Sequence, residues 1–384
     1  MRRLARGFSL VELLVAMALG LVLITAALQV FLGNRQTQST ESSVARVQEA
    51  GRLALGFIGE DLRLAGFYGS GDLKRSAIPM AKAPASDLCA SRTESVDVLN
   101  VANDFDHFDK FVDDSIRVYS KLPNGNSWTP AAPGVPITTA DVPGDVRPDT
   151  DMLSIWYAED TGARIPANAS YSGTDDVSIV YTGTPPAESC FGPNELVLLS
   201  SASGSALFRT TNTPACTGTV TLKHATTGNC SGSLGSIKFD HFSRVMKVVH
   251  RLYYVKNTQR KNTEGNDIYS LYRYQFKNKT GGALGEEMEL VEGVEYLKVS
   301  AGERVLDSFG TETGKVKYVN PASIDAKALK ALRVGVLVQG LDGIRTEADT
   351  ATYELLPGIS VTPDSSKTLR RAFSTSIELR NRAQ

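Results

Sequence analysis

Residues 7–34 read GFSLVELLVAMALGLVLITAALQVFLGN, and the reading of the whole chain turns on them. No charged residue occurs from Leu13 to Asn34. That run reaches the roughly 20 apolar residues a helix needs to cross a bilayer. Arg2, Arg3 and Arg6 precede it, so the basic flank places the N-terminus in the cytoplasm and the remainder outside. A cleavable secretory signal would have a shorter apolar core and a small-residue cleavage site beyond it. A buried soluble helix would not need the arginines. A plain anchor fits the hydropathy but gives no reason for Glu12, since a carboxylate costs about 2.5–3.5 kcal/mol at mid-bilayer and somewhat less near the interface.

Downstream the helical pattern continues. Val44, Val47, Ala54, Ile58, Leu62 and Ala65 recur at steps of three and four, with Glu41, Arg46, Glu49, Arg52, Glu60 and Arg63 between them. Gly66, Gly69 and Gly71 end the pattern. One helix from about Ser9 to about Phe67 is expected, with residues 8–34 in the membrane and 35–71 an amphipathic continuation. Gly33 and Asn34 are places where it could kink.

Residues 72–238 are loop-rich, as in SKLPNGNSWTPAAPGVPITTADVPGDVRPD, and too long for one loop. Strands are expected within SVDVLNVAN (95–103), DMLSIWYAED (151–160) and NELVLLSSA (194–202), so the region reads as a β-containing insertion or subdomain. Residues 239–384 read as an antiparallel sheet domain. VMKVVHRLYYVKN and IYSLYRYQF form a hairpin about residues 264–267, and ELVEGVEYLKVSAG and LKALRVGVLVQG add strands. In the closing TLRRAFSTSIELRNR, Phe373, Thr375, Ile377 and Leu379 alternate with polar residues, as in a half-buried strand. The fold class expected is α+β: a long N-terminal helix packed on an antiparallel sheet, with a large loop-rich β insertion.

Forty-one basic and 42 acidic side chains nearly cancel, which argues against a nucleic-acid partner bound by bulk charge. The four cysteines, Cys89, Cys190, Cys216 and Cys230, form no Cys-x-x-Cys pair. Outside the cytoplasm they are disulfide candidates, with buried thiols as the alternative. Closeness in sequence favours Cys216–Cys230, which leaves Cys89–Cys190.

Catalytic and metal motifs are missing from the sequence. His107, His224, His241 and His250 lack ligand spacing, and no Gly-x-Ser-x-Gly or phosphate loop occurs. The acidic run DFDHFDKFVDD (104–114) lacks the glycine and terminal glutamate of a helix-loop-helix calcium site. No metal or cofactor is expected. The tyrosines of the 245–276 hairpin read as cross-strand packing, and Arg370, Arg371, Arg380 and Arg382 as a charged edge strand.

Gly7-Phe8-Ser9-Leu10-Val11-Glu12 resembles the type IV pilin-like processing motif, whose order and spacing are specific. VEGVEYLKV, LRVGVLVQ and LRRAFSTSIELRNR resemble the PilW-type minor pilins, relatives of the J-type minor pseudopilins of type II secretion. The resemblance implies a leader, residues 1–7, removed by a prepilin peptidase between Gly7 and Phe8. It also implies N-methylation of Phe8 and docking of Glu12 on a neighbour's new N-terminus. A minor pilin priming pilus assembly near the tip is the function implied, not an enzyme. Implied partners are the prepilin peptidase, other minor pilins, the major pilin and the inner-membrane assembly platform. The alternatives are a type II minor pseudopilin, or a tip adhesin or DNA-capture module on the same anchor.

Overall fold

A computed structural model describes residues 9–69, 78–79, 115–121, 128–130, 145–181, 183–186, 189–193, 195–226, 229, 232–276, 285–321 and 328–382. Helix α1 (Leu10–Leu64) is continuous over 55 residues. Ser9 caps it, its hydroxyl accepting from the Val11 amide at 3.3 Å. Gly33 and Asn34 do not interrupt it. The Thr37 hydroxyl donates to the Gly33 carbonyl and the Thr40 hydroxyl to the Gln36 carbonyl, so polar side chains here fold back on the helix.

Two sheets receive the second half of α1. The smaller holds β12 (Val294–Leu306), β13 (Glu312–Val319), β14 (Leu329–Gly343) and β17 (Thr368–Glu378), ordered β13-β12-β14-β17 and antiparallel throughout. β17 runs alongside α1 in the same direction. Phe373 lies against Gly51, Ile377 against Gly59, and Asn381 donates to the carbonyls of Arg63 and Ala65. The expected alternation holds, with Ile377 and Leu379 buried in the core shared with Val47, Ala54, Ile58 and Leu62.

The larger sheet is 11-stranded and centres on β9 (Arg244–Lys261). One edge of β9 pairs with β4 (Asp151–Arg164). The other pairs with β6 (Leu196–Ser201) near its start and β10 (Asp267–Phe276) near its end. Around this spine lie β1 (Ile78–Pro79), β2 (Ile116–Lys121), β3 (Trp128–Pro130), β5 (Val177–Tyr181), β7 (Gly204–Arg209), β8 (Thr219–Leu222) and β11 (Gly285–Glu292). The β15 (Tyr353–Leu356) and β16 (Ile359–Val361) hairpin lies over Tyr296, Leu337 and Ala372 of the smaller sheet.

The sequence boundary at 238/239 does not coincide with a boundary between sheets. β9, β10 and β11 follow it in the chain but complete the larger sheet, because β9 is long enough to pair with strands from both regions. The strands expected at 151–160 and 194–202 are β4 and β6. Residues 95–103 and the acidic run 104–114 lie outside the described residues.

The favoured Cys216–Cys230 pairing is corrected, because Cys216 is bonded to Cys190. The register of the β6–β7 hairpin explains it. Leu196 opposes Arg209, so the segments before β6 and after β7 run side by side. The Glu195 amide donates to Thr210 Oγ1, which donates to the Gly192 carbonyl at 2.6 Å. Strand pairing thus brings together two cysteines 26 residues apart. Cys89 and Cys230 lie outside the described residues.

A Cβ on Gly51 would run into the Phe373 ring, so α1 and β17 meet where no side chain intervenes. Gly51→Val is expected to lower stability by about 1–3 kcal/mol through overpacking. Urea unfolding should show that loss, and Phe373→Ala in the same chain should relieve most of the clash.

Candidate functional site

The motif end of α1 is described from Ser9 onward; Gly7 and Phe8 precede the described residues. Glu12 stands exposed in the first turn of α1. On either side of it Leu10, Leu14, Met17, Leu21, Ile24, Leu28 and Leu32 are all exposed, so residues 10–32 make no packing with the rest of the chain. Among the described residues, α1 is the one helix long and apolar enough to cross a membrane. A helix apolar on every side needs lipid or other helices around it. Arg35 lies over the Phe31 ring at 5.3 Å, where the apolar run ends.

The packed half of α1 carries a buried acid. Asp61 is 3% exposed and projects onto the larger sheet. Its carboxylate accepts from Tyr157 Oη at 3.0 Å, Tyr253 Oη at 2.5 Å and Arg251 Nη1 at 2.7 Å. The donors stand on β4 and β9, the two central strands. Burial, and then the nearby carboxylate, hold both phenols above their ordinary pKa, so both remain protonated donors. For Arg251, the attraction of Asp61 outweighs burial and keeps the guanidinium charged. Past Asp61 the Gly66 amide donates to the Trp156 carbonyl, and the Ala158 amide to the Phe67 carbonyl. The far end of α1 is therefore held by the larger sheet.

The same logic joins the two sheets. Thr150 Oγ1 both donates to the Leu297 carbonyl and accepts from its amide, each at 3.1 Å. Asp151 accepts from the Val299 amide and from Ser120 Oγ, both at 2.8 Å. Side chains at the start of β4 thus satisfy backbone groups of β12 on the side away from β14.

Arg370 is a correction to the edge-strand reading. β17 is an edge strand, and Arg371 and Arg380 are exposed, but the Arg370 side chain is 1% exposed. Its guanidinium grips Glu295 with two hydrogen bonds, Nε to Oε2 at 2.7 Å and Nη2 to Oε1 at 3.0 Å. Asp349 Oδ2 lies 3.5 Å from Nη1, and the Asp364 carbonyl accepts from Nη2. Asp349 and Asp364 flank the β15–β16 hairpin, so one arginine holds both ends of that hairpin. Tyr353 donates to Asp349; burial alone would raise that carboxyl's pKa, but this bond, the Ala351 amide and the nearby Arg345 and Arg370 hold it below the ordinary range.

Two histidines are structural. His250 is buried and stacked on Trp156 with ring centres 3.7 Å apart, and its Nε2 bonds to Ser154 Oγ. His224 is buried, with Nε2 against the Asp175 carbonyl. His241 is exposed and His107 lies outside the described residues. Among the described residues no group of three or more potential ligands forms a metal site.

Sequence reasoning missed Asp61, Tyr157, Arg251 and Glu295. One signal was available for Asp61: it falls three residues after Ile58, inside the apolar stripe rather than on the charged face.

Comparison with known families agrees with both ends of this architecture. Residues 2–28 match the model of the prokaryotic N-terminal methylation motif. Residues 252–381 match the model of Type IV Pilus-assembly protein W, which runs from within β9 through β17. No curated protein and no solved structure matches the chain. At its leader and over its C-terminal region the chain is therefore similar to type IV pilus-related, pilin-like proteins.

Asp61→Ala would leave Arg251 beside two phenols without their common acceptor. A loss of about 3–5 kcal/mol is expected, the cost of breaking a buried pair. Glu60→Ala, one residue away on the exposed face, should change stability by less than about 0.5 kcal/mol. Urea unfolding of the detergent-solubilised chain compares the two.

Proposed function

We propose that this chain is a minor pilin, cut between Gly7 and Phe8 and N-methylated on Phe8 by a prepilin peptidase. It is held in the inner membrane with the N-terminus cytoplasmic and the head periplasmic, and it helps to prime pilus assembly near the tip. Its role is structural. The observation that carries the reading is the division of α1. The helix follows a methylation-type leader, buries nothing over residues 10–32, and then packs one stripe on a PilW-type sheet. Such an anchor can leave lipid for a bundle of like helices without disturbing the head.

Glu12 has a clear physical task on this reading. Cleavage creates an ammonium at Phe8, close to the membrane surface. A carboxylate on a neighbouring subunit pairs with it, and in an apolar bundle the pair is less screened than in water. A near-terminal place in the fibre is supported by the far end of α1. The larger sheet covers that end, and a lobe follows whose core draws on no residue of the helix. The PilW match favours the pilus over the type II pseudopilus, which would use the same anchor.

Intact mass of the protein from membranes, with and without the peptidase, tests processing. A loss of Met1–Gly7 and gain of one methyl group, only with the peptidase present, is expected. Glu12→Ala should be cut as usual but recovered poorly in sheared fibres. Normal incorporation of that variant would remove the docking role.

A further inference from the structure

We propose that Ser9 is a positioning residue for the cut after Gly7: its hydroxyl makes α1 begin at Leu10, past the scissile bond, and so leaves the Gly7 carbonyl free for the peptidase. The proposal rests on the cleavage reading above. Ser9 has extended backbone, φ −71° and ψ 145°, and stands immediately before the first helical residue. The helical ladder starts with the Leu13 amide donating to the Ser9 carbonyl at 3.1 Å. The Val11 amide donates to Ser9 Oγ at 3.3 Å. A helical bond joins an amide to the carbonyl four residues back. Were α1 to begin at Phe8 instead of Leu10, the Val11 amide would bond to the carbonyl of Gly7. Ser9 Oγ therefore occupies the donor that a longer helix would give to the carbonyl under attack. The match of residues 2–28 to the N-terminal methylation motif supports processing within this same segment.

Without such a stop the helix would run on. Each residue added to an existing helix gains a bond for one residue fixed, and backbone groups near lipid need partners within their own segment. Upstream, Leu4, Ala5 and Arg6 are all good helix formers. Glycine is a fair N-cap and alanine a poor one. With alanine at position 9, Gly7 is the next residue back that caps well, and a cap residue's carbonyl accepts the first helical bond. That carbonyl belongs to the bond to be cut. Hydrolysis adds water across it: an oxygen joins the Gly7 carbon and the bond from that carbon to the Phe8 nitrogen breaks. Gly7 leaves as a carboxylate and Phe8 as an ammonium, both protons of the water ending on the amine. Negative charge gathers on the Gly7 carbonyl oxygen as the water adds, so that oxygen must face donors of the peptidase. An oxygen tied to the Val11 amide inside a turn of helix does not face them. Ser9 touches no reacting atom and acts only through the conformation of the residues before it.

The test uses the full-length chain in membranes containing the peptidase. Pulse labelling follows the cut fraction in time, and intact mass gives the position of the cut. The comparison that decides is Ser9→Ala against Ser9→Gly. Both lack the hydroxyl, and alanine is the nearer to serine in size, yet glycine is the better helix stop. Ser9→Ala is expected to slow the cut about three- to tenfold, whereas Ser9→Gly and Ser9→Asn should stay within about twofold of the unchanged chain. The head should fold alike in every variant, because the helix near position 9 makes no packing with it. Equal recovery of each chain in the membrane fraction checks this. Ser9→Ala cut as fast as the unchanged chain would overturn the proposal. So would Ser9→Gly slowed as much as Ser9→Ala, since the peptidase would then be reading the hydroxyl itself. An unchanged chain that is never cut after Gly7 sinks the cleavage reading and this proposal with it. An unchanged chain cut as expected, beside an indifferent Ser9→Ala, sinks this proposal alone.

Discussion

Among the described residues, Asp61 is the one charge on α1 that is buried against the larger sheet. Around it the helix is held by ordinary burial: Ile58 and Leu62 are fully covered, each side chain contributing about 1.5–3 kcal/mol. Apolar burial is not directional and would tolerate some rotation or sliding of α1. A carboxylate gripped by Tyr157, Tyr253 and Arg251 does not tolerate either. Its three donors stand on β4 and β9, so fixing the helix also fixes the spine of the 11-stranded sheet. The anchor's direction is thereby tied to the far end of the head.

β9 is the second constraint. One edge pairs with β4 and, beyond it, with the segment around Val146, while the other is divided between β6 and β10. Through β6 it reaches the lobe closed by Cys190–Cys216, and through β10 it reaches β11. The smaller sheet is attached by side chains: Thr150 and Asp151 occupy backbone groups of β12, and Arg147 stacks on Tyr269 and Tyr296 across the junction. A region that is loop-rich in sequence is therefore integrated with the pilin-like sheet rather than hung from it.

α1 meets three environments along its length. Residues 10–32 offer apolar surface on every side, residues from Ser43 onward bury one stripe, and the outward face from Glu49 to Leu64 stays charged and open. No boundary in helical geometry separates these regions; the pattern of side chains alone divides the helix.

The sequence by itself determined what depends on local order. The leader spacing, the long apolar run, the amphipathic continuation and the alternation of Phe373, Thr375, Ile377 and Leu379 specify anchor, helix and closing strand without reference to anything distant. The N-terminal methylation motif matched over residues 2–28 is legible for the same reason, since it is one short linear segment. Only the tertiary structure decided the pairings made across long separations. Cys190 meets Cys216 because the β6–β7 register sets their segments side by side, not because they are near in sequence. Arg370 resembles its exposed neighbour Arg371 in the text, yet strand alternation turns it onto Glu295 beneath the β15–β16 hairpin. Asp61 looks like one more charge beside Glu60, and its partners are about 100 and 190 residues away. Local periodicity reports which face a residue occupies. Which strand waits opposite that face is set by sheet topology, and no short stretch of sequence contains it.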